Sequence, residues 1–65
     1  MIIETFTSTE TGFTSHVCMM RMNSEIYFTV DIYDTVEKRF LEIVKVFKPE
    51  EKQKALNFAK DAVGA

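Results

Sequence analysis

Tryptophan is absent from this chain, cysteine and proline occur once each, and glycine only twice. A lone cysteine, Cys18, excludes an internal disulfide. With His16 the only histidine, the chain also lacks the Cys/His sets that hold a structural zinc ion. No apolar run approaches the roughly 20 residues a membrane-crossing helix needs. The opening Met1-Ile2-Ile3-Glu4 has no basic segment and no long apolar one, so a signal peptide is not expected. Phosphate-cradling loops, dinucleotide fingerprints and metalloprotease helices are missing too. The expectation is a soluble protein of a reducing, cytoplasmic compartment, with no cofactor, metal, membrane or evident small-molecule substrate.

What is present is a short, apolar chain. Its 65 residues suffice for one small domain, 1–65, and its 46% apolar content is too high for a disordered segment. A domain of about 60 residues buries only about 60% of the surface its unfolded chain exposes. Little room is left for a deep catalytic cleft, and no enzyme is expected. The net charge of −2 argues against general nucleic-acid binding. It is divided unevenly, with a net of −4 over residues 1–34 and +2 over residues 35–65.

Local pattern predicts an α+β fold. The threonine-rich start favours a strand over about 2–9, because β-branched residues pack well on a pleated surface. Thr11-Gly12 reads as a turn, 13–22 as a second strand and Asn23-Ser24 as a two-residue hairpin. Residues 26–33 alternate strictly, placing Ile26, Phe28, Val30 and Ile32 on one face. The end, about 49–63, is a helix. Pro49 suits its first position, Glu50 and Glu51 suit its dipole, and Gly64 marks its stop. Its apolar stripe comprises Ala55, Leu56, Phe58, Ala59, Ala62 and Val63.

Residues 34–47 admit two readings. Asp34 to Glu37 could cap a helix carrying Val36, Phe40, Ile43, Val44 and Phe47 on one face, giving three strands and two helices. The favoured reading is a fourth strand over about 40–47, after a loop from Thr35 to Lys38 that pairs Asp34 with Arg39 and Tyr33 with Phe40. The result is a four-stranded antiparallel meander backed by one C-terminal helix.

Register follows from the turns. The first hairpin sets Met22 against Glu25, Met20 against Tyr27, Cys18 against Thr29 and His16 against Asp31. The second sets Asp31 against Glu42, Thr29 against Val44 and Tyr27 against Val46. One face then gathers Phe13, Val17, Met19, Ile26, Phe28, Val30, Ile32, Leu41, Ile43 and Phe47 for the helix. Lys45 falls on it opposite Phe28, an awkward place unless its ammonium snorkels to the edge. The opposite face carries Met20, Met22, Tyr27, Tyr33, Phe40, Val44 and Val46, too apolar for a sheet face left in water.

Candidate chemistry is thin. His16 and Cys18 share a face, yet nothing beside them resembles an oxyanion turn, so an inert cysteine is expected. His16, Asp31 and Glu42 form a row better read as a cross-strand ion pair than as a metal site. Lys48, Lys52, Lys54 and Lys60 are interspersed with carboxylates, Glu50 pairing Lys54 at i, i+4, and read as a solvated helix face. The functional expectation is therefore a non-enzymatic protein-binding module, a small adaptor or inhibitor. It would act through the second sheet face on another protein or on a copy of itself as a homodimer. Many very small phage-encoded proteins share this generic layout, and one that blocks a host or defence protein would fit it. The alternative is a nucleic-acid-associated accessory protein using the lysine-bearing C-terminal half.

Overall fold

The computed structural model describes residues 1–41 and 45–64. Five antiparallel strands precede a helix: β1 (Ile2–Thr7), β2 (Phe13–Met22), β3 (Glu25–Asp34), β4 (Arg39–Phe40) and β5 (Lys45–Phe47). A 3₁₀ turn (Pro49–Glu51) then leads into α1 (Lys52–Val63). The sheet order is β1-β2-β3-β4, with β5 also pairing β3. This is the α+β meander that the hydrophobic pattern predicts, with its fourth strand in two pieces.

Turn chemistry fixes the central hairpin. Asn23 and Ser24 have φ of 51° and 67°, the left-handed pair that a tight two-residue turn requires. The register of β2 on β3 is the expected one, from Met22 opposite Glu25 to Phe13 opposite Asp34. β1 stops at Thr7, two residues short of expectation, because Ser8 closes a turn instead of extending the strand. Buried Ser8 donates its N–H to the Phe13 carbonyl, accepts at its own carbonyl from Gly12, and receives the Thr11 N–H on its hydroxyl. A short hydroxyl side chain that bonds nearby backbone outcompetes threonine's preference for a ladder here.

No second helix forms among the described residues of 34–47. The Asp34 carboxylate accepts the N–H groups of Val36 (3.0 Å) and Glu37 (3.1 Å), capping a turn rather than a helix. Asp34 opposes Arg39 and Tyr33 opposes Phe40, as expected. Beyond Phe40 the register departs from expectation by two residues. Val46 lies opposite Thr29, not Tyr27, and Lys45 lies opposite Val30, not Phe28. The proposed pairings of Glu42 with Asp31 and Val44 with Thr29, and the core place of Ile43, lie outside the described residues. An even shift keeps every side chain on its own face. It brings Phe47 opposite Phe28, so two buried aromatics share the core.

The core lies between one sheet face and α1. Val17, Phe28, Val30, Phe47, Ala55 and Ala59 form its buried centre, with Ile3, Phe6, Met19, Ile26, Leu56 and Phe58 around it. Ser15 is also fully buried there, and its hydroxyl donates to the Ala59 carbonyl at 2.8 Å. Lys45 stays on this face and remains exposed. Its ammonium stands 5.0 Å from the Phe58 ring centroid and 5.7 Å from that of Phe47, so it snorkels over aromatic faces that attract a cation.

Both helix ends are satisfied. The Glu51 carboxylate accepts the Lys48 N–H at 3.0 Å, while the Lys48 carbonyl accepts the Glu51 N–H. That bond holds the Glu51 carboxyl below its usual range, with the nearby Lys54 ammonium adding to the effect. Lys54 pairs with Glu51 at 3.6 Å, at i, i+3, rather than with Glu50 at i, i+4. At the other end Gly64, at φ 76°, ends the helix in the left-handed conformation. The Thr11 hydroxyl donates to the Val63 carbonyl at 2.9 Å, tying the first loop to the last helical turn.

Gly12 joins two loops. Its carbonyl accepts the Thr35 N–H, and it holds φ at +74° with Val36 packed close above it. A Cβ there would stand 2.8 Å from Val36 Cγ2. Gly12→Ala is therefore expected to cost about 1–2 kcal/mol through strain and crowding. Urea unfolding should show a lower midpoint at unchanged slope; an unmoved midpoint would contradict this account of the loop.

Candidate functional site

The helix covers one side of the sheet, and among the described residues no element covers the other. Strand alternation decides what that second side displays. On β2 the even-numbered residues face away from α1, since Ser15 and Val17 face towards it. Their partners on β3 follow, giving the cross-strand rows Thr14–Tyr33, His16–Asp31, Cys18–Thr29 and Met20–Tyr27. β1 adds Ile2 beside Cys18 and Thr5 beside His16. β5 adds Val46 beside Thr29, and β4 adds Phe40 beside Tyr33.

Of the seven residues predicted for this face, six are placed on it, and Val44 lies outside the described residues. Met20 is 46% exposed, Met22 49%, Val46 57% and Phe40 63%, while Tyr27 and Tyr33 are half-buried against their neighbours. The apolar residues fall into two groups. Ile2, Met20, Met22, Tyr27 and Val46 occupy the half nearer the Asn23-Ser24 hairpin. Tyr33 and Phe40 occupy the other end, their rings packed edge to face at 5.0 Å between centroids. Ile2, itself 57% exposed, was not among the predicted residues. The pairing register shifts between Ile2 and Glu4, and this irregularity breaks the alternation that would have assigned it.

Between the two apolar groups runs the polar row. His16 Nδ1 lies 2.9 Å from Asp31 Oδ1, both side chains half-buried, so the predicted cross-strand pair is formed. Glu42, the proposed third member, lies outside the described residues. Among the described residues no three His, Cys, Asp or Glu side chains gather as a metal site. Cys18 is a free thiol, half-buried in the row next to His16. The Thr29 hydroxyl donates to the Met20 sulfur at 3.7 Å, a weak bond that holds the flexible thioether down on the sheet.

At the hairpin end a concavity of about 380 Å³ lies between β3 and the 3₁₀ turn, lined by Glu25, Ile26, Tyr27, Lys48, Pro49 and Glu50. Its mixed charges stand at the surface, and it forms a rim to the apolar face rather than an enclosed cleft. No helix among the described residues is long and apolar enough to cross a membrane.

The Tyr27 hydroxyl donates to the Glu25 carboxylate, which also repels a phenolate, so the Tyr27 phenol is held above its ordinary range. A raised phenol pKa contributes stability below the unfolded value, and this is lost as pH rises through the folded one. In a Tyr33→Phe background, absorbance titration should place the Tyr27 transition above that of a free phenol, and Glu25→Gln should bring it down. A transition unaffected by Glu25→Gln would show that the bond does not form. No family model matches the chain, and neither a curated protein nor a solved structure matches it.

Proposed function

We propose that the chain is a non-enzymatic protein-binding module, an adaptor or inhibitor whose contact surface is the sheet face that α1 leaves uncovered. The supporting observation is the exposed group of Ile2, Met20, Met22 and Val46 around Tyr27, on a sheet whose other face already has its helix. Apolar patches of this kind on small proteins mark contact surfaces. Tyrosine brings an apolar ring with a polar tip, and methionine adapts its shape to what it meets. A module of this kind acts by occupying a surface, which needs shape and apolar area but no cleft. The free thiol of Cys18 suits a reducing compartment, and we place the protein in the cytoplasm.

The lysine-bearing half offers less to a nucleic acid. Lys54 is paired with Glu51, Lys45 lies over two rings, and Glu50 and Asp61 share the helical surface. Phosphate contacts need unopposed cations, and their affinity falls steeply with salt.

Capture from a lysate of the native cell separates these readings. The immobilised chain is expected to retain a protein that is lost with Met20→Glu plus Val46→Glu and kept with Lys52→Glu plus Lys60→Glu. Retention of nucleic acid alone, released by salt and lost with the lysine variant, would contradict the protein-binding reading. Retention indifferent to the face variant would do so as well.

A further inference from the structure

The reading of this face as a contact surface leaves open what occupies it in the isolated protein. We propose that the occupant is a second copy of the chain, the two sheets packed face to face about a two-fold axis running along the β2–β3 hairpin, between those strands. A target that takes the same face would then compete with the second copy. The proposal rests on the contact reading and specifies its first partner.

Three observations support it. The first is complementarity across the His16–Asp31 hydrogen bond. In a two-fold interface, if residue i meets residue j, then j meets i. An axis between β2 and β3 sets each residue of a cross-strand row over its own row-mate in the other copy. His16 then meets the partner's Asp31, and Asp31 meets the partner's His16, extending the 2.9 Å pair into an alternating four-membered cluster. An axis across the strands through this row would instead place Asp31 on Asp31, where two carboxylates repel.

The second observation is apolar matching under the same operation. Ile2 and Val46 lie at opposite ends of the row through Cys18 and Thr29. The two-fold brings Ile2 onto the partner's Val46 and Met20 onto the partner's Tyr27. Two sheets packed in this way lie about 10 Å apart with their strands about 30° from parallel. The rows at the middle of the strands stay in register while those towards the strand ends diverge, and the His16–Asp31 and Cys18–Thr29 rows are the middle ones.

The third observation is area. The molecule measures 37 × 20 × 16 Å, so its broad side presents roughly 700 Å² in projection. A stable interface takes about 800 Å² of accessible surface from each partner, so this dimer engages nearly the whole of that side. Pairing at the sheet edges is the competing way to join two sheets, and both edges are poorly suited to it. β1 has an irregularity between Ile2 and Glu4, and on the opposite edge the described residues form strands of two and three residues.

Sedimentation equilibrium tests the proposal, with folding of each variant verified by circular dichroism. At ~100 μM, well above a micromolar Kd, the protein should have twice its 7.5 kDa chain mass. The double variants His16→Lys/Asp31→Lys and His16→Glu/Asp31→Glu should each sediment at the chain mass, and their equimolar mixture should return to twice that mass. Thr29→Arg, at the centre of the face, should also give the chain mass and serves if a double variant does not fold. A wild-type protein that stays at its chain mass at this concentration overturns the second copy, while the capture experiment alone then decides the contact reading. A dimer that survives Thr29→Arg, or double variants that dimerise without mixing, overturns the two-fold placement.

Discussion

The close seating of α1 on the sheet is the constraint from which the remaining features follow. Ala55 and Ala59 present almost no side chain, and Ser15 beneath them is equally small, so the helix backbone comes within reach of the strand. The Ser15 hydroxyl then donates to the Ala59 carbonyl at 2.8 Å inside the core. A buried hydroxyl without such a partner would cost about 1–3 kcal/mol. A larger residue at Ser15, Ala55 or Ala59 would lift the helix and open the packing around Val17 and Val30. Thr11 secures the same helix at its far end through the Val63 carbonyl. With the helix so placed, one side of the sheet is closed, and among the described residues no element of the chain covers the apolar residues of the other side.

That imbalance gives the exposed face its meaning. The inner face treats its one charged intruder, Lys45, by lifting the ammonium over Phe47 and Phe58. The outer face holds His16, Asp31, Cys18 and Thr29 in its middle rows, with Thr14 and Glu25 towards its ends and methionine, valine and tyrosine among them. A surface that needed only solubility would carry charge throughout. Here His16 and Asp31 are hydrogen-bonded at the middle of the face, and both are half-buried. An arrangement with a histidine and a carboxylate bonded side by side at the middle and apolar residues around them can match its own image. Among the described residues no third His, Cys, Asp or Glu side chain gathers with Cys18 and His16 as a metal site.

Most of this architecture was legible in the residues, and the exceptions have specific causes. Asn23-Ser24 determined the register of β2 on β3 because a two-residue turn leaves no freedom in pairing. With that register came the His16–Asp31 pair and the faces of Met20, Met22 and Tyr27. The loop after Asp34 was also readable, since a four-residue connection pairs Asp34 with Arg39 and Tyr33 with Phe40. The two-residue displacement at Val46 was not, because alternation carries parity and no length, so an even shift leaves the pattern intact. Ile2 escaped notice for the opposite reason, an irregularity that breaks parity. Ser8 and Ser15 were passed over because a serine's burial depends on which carbonyl or amide a distant element brings to it. Sequence spacing gives no sign of the Ala59 carbonyl above Ser15.

Consecutive methionines on opposite faces provide the most direct measurement of the central claim. Met19 packs against the helix side, while Met20 and Met22 stand on the open side. Peroxide oxidation followed by peptide mass spectrometry in dilute protein should convert Met20 and Met22 to sulfoxides well before Met19. Raising the protein concentration should then slow Met20 and leave Met19 unchanged. Oxidation of Met19 as fast as Met20 in dilute protein would contradict the account, because the helix would then not close the face that the rest of the structure requires it to close.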